Sequence, residues 1–209
     1  MSKHATEVLL KERAAMCDTF DKYGPDAPTL CEGWTTLDLA AHLVAREARS
    51  DAAIGLVVPF LAGHMEKVSD KYKAKGYEPL VGMLRTGPPW MHRTGPLATA
   101  NVNENFVHHE DIRRANGEPP RPSDPDIDGL LWKLLGFGTG KKTLPGVALT
   151  LRTPDGREKQ VTKAGVSVAM IGEVGELALF LNGRKDAAVV TFDGADGAVA
   201  ILKNAKFGV

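Results

Sequence analysis

The sequence predicts an α+β protein: a helical domain over residues 1–138 followed by a small α+β domain over 139–209. Three observations predict it. Up to about position 140, apolar residues recur at helix-like intervals. The glycine run Gly136-Phe137-Gly138-Thr139-Gly140 then interrupts the chain. Beyond it, short β-rich segments alternate with turn signals.

The elements follow in order. Residues 4–23 carry Val8, Leu9, Ala14, Ala15 and Phe20 at helical spacing, and Gly24 and Pro25 end that segment. Thr35-Thr36-Leu37-Asp38 has the form of a capping box, with Asp in place of the usual Glu or Gln. The helix it opens carries Leu39, Ala40, His42, Leu43 and Val44 and is expected to reach about Gly55. Helical stretches follow over 60–74 and 78–85, before Gly87-Pro88 breaks the chain. The next helix starts near Leu97 and stops at Asn116-Gly117. A proline-rich loop precedes a last bundle helix over Ile127 to Leu135. In the second domain, Val147 to Thr153, Glu158 to Thr162 and Val166 to Ile171 read as strands, and Gly172 to Leu181 as a helix. Ala187 to Phe192 and Val199 to Leu202 read as β-rich, and the glycine run reads as a flexible link between domains.

Composition narrows the function. The chain has 209 residues, 43% hydrophobic and 25% charged, as expected of a folded domain with a substantial core. Lys plus Arg and Asp plus Glu each number 26, so no net charge favours nucleic acid. Two cysteines, Cys17 and Cys31, do not make a disulfide scaffold. The start of the chain lacks the features of a signal peptide. The most apolar run, 52–62, is too short to span a bilayer and contains Gly55 and Pro59. A cytoplasmic protein with reduced thiols is expected, as a monomer or homodimer.

The chemistry concentrates in Asn103-Glu104-Asn105-Phe106-Val107-His108-His109-Glu110-Asp111. On a helix, Glu104 and His108 lie about 40° apart and Asp111 about 20° from Glu104, whereas His109 points about 140° away. The pair is therefore Glu104 and His108, with Asp111 either beside the imidazole or as an extra ligand. Such a pair is also common as a solvated ion pair. His42, on another helix, supplies a third candidate ligand, and facing helices do build metal sites. Arg46 and Arg49 lie within about 40° of His42 on its helix and are suited to grip a carboxylate. Their alternative is ion pairing with nearby Glu47 or Asp51.

Cys31-Glu32-Gly33-Trp34-Thr35-Thr36-Leu37-Asp38-Leu39-Ala40-Ala41-His42-Leu43 resembles the first block of the mycothiol-dependent maleylpyruvate isomerase N-terminal family, within the wider DinB-like group. Glu104-x-x-x-His108, followed by His109-Glu110-Asp111, resembles its second block. The resemblance implies a DinB-like up-down four-helix bundle followed by a small α+β domain. It implies a divalent metal, zinc first, held by His42, Glu104 and His108. It also implies mycothiol as a thiol co-substrate. The stretch from Val107 to Ala115 looks like a subgroup distinct from the isomerase itself.

An open divalent centre ionises a bound thiol or water and polarises a carbonyl. The function expected is a thiol-dependent transferase or isomerase acting on a small electrophile. Its alternatives are a metal-dependent hydrolase and a non-catalytic metal-binding module.

Overall fold

The computed structural model describes residues 2–48, 62–88, 95–140 and 143–207. The chain forms two compact units, Met1–Pro120 and Arg121–Val209. Helices make up the described part of the first, and a four-stranded sheet with helices makes up the second.

The first unit holds α1 (Ser2–Tyr23), α2 (Thr36–Ala48), α3 (Ala62–Lys73), α4 (Tyr77–Thr86) and α5 (Gly95–Ala115). The run 49–61, which includes most of the apolar stretch and the expected end of the second helix, lies outside the described residues, as does Arg49. α1 packs on α5 and α4, and α2 packs on α3 and α4. Their apolar stripes meet in one core: Phe20 of α1, Leu39 and Leu43 of α2, Leu80 and Leu84 of α4, and Ile112 of α5 are wholly buried. Each such side chain contributes about 1.5–3 kcal/mol by leaving water.

This core also contains an ion pair. Arg13 of α1 forks onto both carboxylate oxygens of Glu47 of α2, and its Nη1 also donates to the Leu84 carbonyl of α4 at 2.7 Å. Three helices are thus joined at one guanidinium. Burial pushes the Glu47 carboxyl up, against the pull of Arg13. Removing one partner would strand the other charge, at a cost of about 3–5 kcal/mol.

The second unit begins with α6 (Pro125–Leu134), capped by Asp124, whose side chain accepts from the Asp126 amide. Strands β1 (Val147–Arg152), β2 (Glu158–Gln160), β3 (Val166–Ile171) and β4 (Thr191–Gly194) follow, with α7 (Val174–Leu181) between β3 and β4. The sheet order is β2-β1-β3-β4. β1 and β3 are parallel, with Val147 opposite Val166 and Arg152 opposite Ile171; the two outer pairings are antiparallel. A parallel neighbour needs a crossover. Here it is formed by β2 and its flanking turns, β2 itself serving as the antiparallel edge.

Three expectations are corrected here. α6 packs on α7 inside the second unit, so it is not the last helix of a bundle ending at 138. The glycine run falls inside the second unit and not between the two units; Gly136 there has φ 81°, and a Cβ on it would meet Val161 at 2.7 Å. Finally, 199–202 is not a strand but part of α8 (Asp196–Asn204). Val199 and Ile201 favour a strand locally, but Ala198 and Leu202, four apart on one helical face, are buried. Packing of α8 on β3 and β4 overrides the β-branched preference.

Among the described residues, no helix is long and apolar enough to cross a membrane.

Candidate metal centre

Two helices of the first unit carry the site. α2 is launched by the box its sequence predicts: the Thr35 amide donates to Asp38 Oδ2 at 2.9 Å, and the Asp38 amide donates back to Thr35 Oγ1 at 3.4 Å. Asp38 also pairs with Lys73 of α3, which fixes this end of α2. One turn on from Asp38, His42 stands half-buried with its ring 5.0 Å from that of Trp34.

α5 supplies the rest. Its Glu104 Oε1 lies 3.2 Å from His108 Nε2, as i,i+4 neighbours on one helical face do. The rings of His42 and His108 are 5.6 Å apart in an edge-on arrangement. One ligand atom from each of His42, Glu104 and His108 falls within 4.8 Å of the others. The structure therefore brings together three side chains that the sequence separates by some sixty residues. Two imidazoles and a carboxylate are a donor set that fits a divalent cation.

The neighbours tune these groups. Arg46 Nε lies 3.2 Å from Glu104 Oε1, and its Nη1 donates to Asn101 Oδ1 at 3.1 Å. Arg46 thus makes its direct contacts to α5, while Arg13 holds Glu47, whose charge Arg46 favours without a direct bond among the described contacts. Burial opposes the charge on Glu104, but His108, Arg46 and His42 prevail and hold its carboxyl well below the ordinary range. Burial likewise opposes a charged His108, yet Asp111, Cys31 and Glu104 lift it well above its ordinary value.

His108 has a second set of partners on its other nitrogen. Its Nδ1 donates to Asp111 Oδ2 at 2.8 Å, and the Cys31 thiol reaches the same oxygen at 3.3 Å. Asp111 is wholly buried and Cys31 half-buried. Cys31, His108 and Asp111 also lie close enough to hold a cation. Nothing local marks Cys31 for this place: it reads as a small packed residue at the mouth of α2, and Asp111 is 80 residues away.

His109 turns the other way. Its Nδ1 donates to Glu12 Oε1 at 2.9 Å, and its Nε2 lies 2.8 Å from Thr19 Oγ1, both partners on α1.

No family model matches the sequence and no curated protein matches it. Among solved structures, a histidine-to-alanine variant of the mycothiol-dependent maleylpyruvate isomerase has the same fold. The match has a TM-score of 0.58 and 19% sequence identity, and it covers 92% of this chain and 93% of that one. The likeness suggested by the two sequence blocks is therefore present in the architecture of nearly the whole chain.

Proposed function

We propose that this chain is a metal-dependent enzyme of thiol chemistry, a transferase or isomerase that joins a low-molecular-weight thiol such as mycothiol to a small electrophile. The observation that carries the reading is the convergence of His42, Glu104 and His108 within 4.8 Å, from two different helices. Support comes from the fold shared with an enzyme that is itself mycothiol-dependent. The DinB-like up-down four-helix bundle and a cytoplasmic location belong to the same reading.

His42, Glu104 and His108 would hold the cation, with zinc the best match to their donor types. Bound there, it supplies Lewis acidity that favours the thiolate form of a thiol. The chain's own residues do the rest. Glu104 is kept ionised by Arg46 and the two imidazoles, so it offers a full negative charge. Arg46 and His108 both reach the same carboxylate oxygen, Oε1, at 3.2 Å, so the guanidinium steadies the atom that faces the imidazole. Trp34 walls the His42 side with an apolar face against which a small electrophile can rest.

The test starts with elemental analysis of the purified protein beside His108→Ala. About one equivalent of divalent cation per chain is expected in the first and a small fraction of that in the second. The metal-loaded protein is then offered mycothiol with a panel of electrophiles, and metal-dependent loss of free thiol is measured. A loaded chain that consumes no thiol across the panel, but hydrolyses esters or amides without it, would replace this reading with the hydrolase.

A further inference from the structure

We propose that Asp111 is the positioning residue of this site and that Cys31, from the loop ahead of α2, holds Asp111 in place. The inference rests on the three-residue metal site of the proposed function and adds the pair that aims it.

An imidazole can present either nitrogen to a cation, and the hydrogen bond on one decides which is left for the other. A carboxylate only accepts, so the 2.8 Å bond to Asp111 Oδ2 places a proton on His108 Nδ1. Nε2 is the nitrogen that meets Glu104, at 3.2 Å, and its proton in the metal-free chain is the one a cation would displace. Asp111 sits three residues beyond His108 on α5 and is wholly buried, so the ring cannot turn without breaking a bond that water would not replace.

Cys31 gives Asp111 a donor from outside its own helix. The connection is broader than one thiol. The Leu30 amide donates to the Asp111 carbonyl at 3.1 Å, and Asn116 Nδ2 donates to the Pro28 carbonyl at 3.1 Å. Pro28 pairs in turn with Thr35, the residue that caps α2. The loop that launches the His42 helix is therefore stitched to α5 at Asp111. One carboxylate orients His108, and the same residue fixes where the helix carrying His42 begins.

The rival is direct ligation, with Cys31, Asp111 and His108 taking a cation among themselves. The spacing argues against it. At 2.8 Å, His108 Nδ1 and Asp111 Oδ2 are well inside the roughly 3.3–3.6 Å that separates two ligands of one tetrahedral cation, whereas Nε2 and Glu104 Oε1, at 3.2 Å, are already close to it.

The experiment uses the full chain titrated with cobalt(II), with Asp111→Ala, Asp111→Asn, Cys31→Ser and Cys31→Ala beside the wild type. Asp111→Ala is expected to weaken cobalt binding by about ten- to a hundredfold, the usual effect of losing a partner behind a metal-bound imidazole. Asp111→Asn should fall between, Cys31→Ser should stay near wild type because it keeps a donor, and Cys31→Ala should lose part of the affinity. A second readout needs no metal. The His108 Nδ1–H proton should give a downfield, slowly exchanging resonance in the wild type that persists in Cys31→Ser and vanishes in Asp111→Ala. Wild-type affinity in Asp111→Ala, or an unchanged Nδ1–H resonance there, overturns the proposal. So does a near-ultraviolet sulfur-to-cobalt band that Cys31→Ser abolishes, since the thiol would then be a ligand. A wild type that binds no cobalt sinks the metal site instead, and the Nδ1–H resonance still decides the role of Asp111.

Discussion

His108 and His109 are adjacent in sequence, and α5 turns them to opposite purposes. On one face, His108 shares a cluster of ligand atoms within 4.8 Å with Glu104 and His42, and its Nδ1 is held by Asp111. On the other, His109 is closed between Glu12 and Thr19 of α1. The first face gathers charge around a space; the second spends every polar atom on joining two helices. An imidazole becomes a candidate ligand here through the helical phase that decides its neighbours, about 100° per residue.

The largest expected effect separates the faces by cation binding. Glu104→Gln should lower affinity for zinc by more than about a hundredfold, beyond the loss from a missing supporting contact, because a charged ligand itself is gone. His109→Ala should bind zinc as the wild type does. Chelator competition measures both, and equal losses would erase the distinction between the faces.

Stability should divide the other way. His109→Ala removes the Glu12 bond inside a buried helix contact and should cost about 2–4 kcal/mol in urea unfolding of the metal-free chain. A cost within about 0.5 kcal/mol, the range of an ordinary surface substitution, would show that the clamp contributes nothing.

The smallest effect sharpens the contrast through pH. The folded chain raises His108 above its unfolded value of 6.5, so its contribution in the metal-free protein is complete below that pH. The contribution is lost as pH rises through the raised value. Unfolding curves from pH 6 upward should show this alkaline decline in the wild type and in His109→Ala, and a shallower one in His108→Ala. An undiminished decline in His108→Ala would assign it to another group.

Local signals carried much of this. The Thr35–Asp38 box and the Glu104–His108 spacing depend on residues three and four apart, and both are present as read. The sheet strands of 147–152 and 166–171 were legible from β-rich runs. The helix over 196–204 was not, because Val199 and Ile201 point locally to a strand and only the burial of Ala198 and Leu202 against the sheet decides otherwise. The glycine run is packed only at its start: a Cβ at Gly136 would meet Val161 at 2.7 Å, whereas one at Gly138 or Gly140 would meet nothing within 4 Å.

By itself, the sequence determined the helical phase of α5, and with it which of two neighbouring histidines accompanies Glu104, since that phase is set by backbone geometry within one turn. Only the tertiary structure decided that Arg13 and not Arg46 takes Glu47, that Arg46 braces Glu104, and that the Cys31 thiol meets Asp111. Those pairings span 34, 58 and 80 residues of chain. At such separations the partner is chosen by how the helices pack, and no local spacing encodes it.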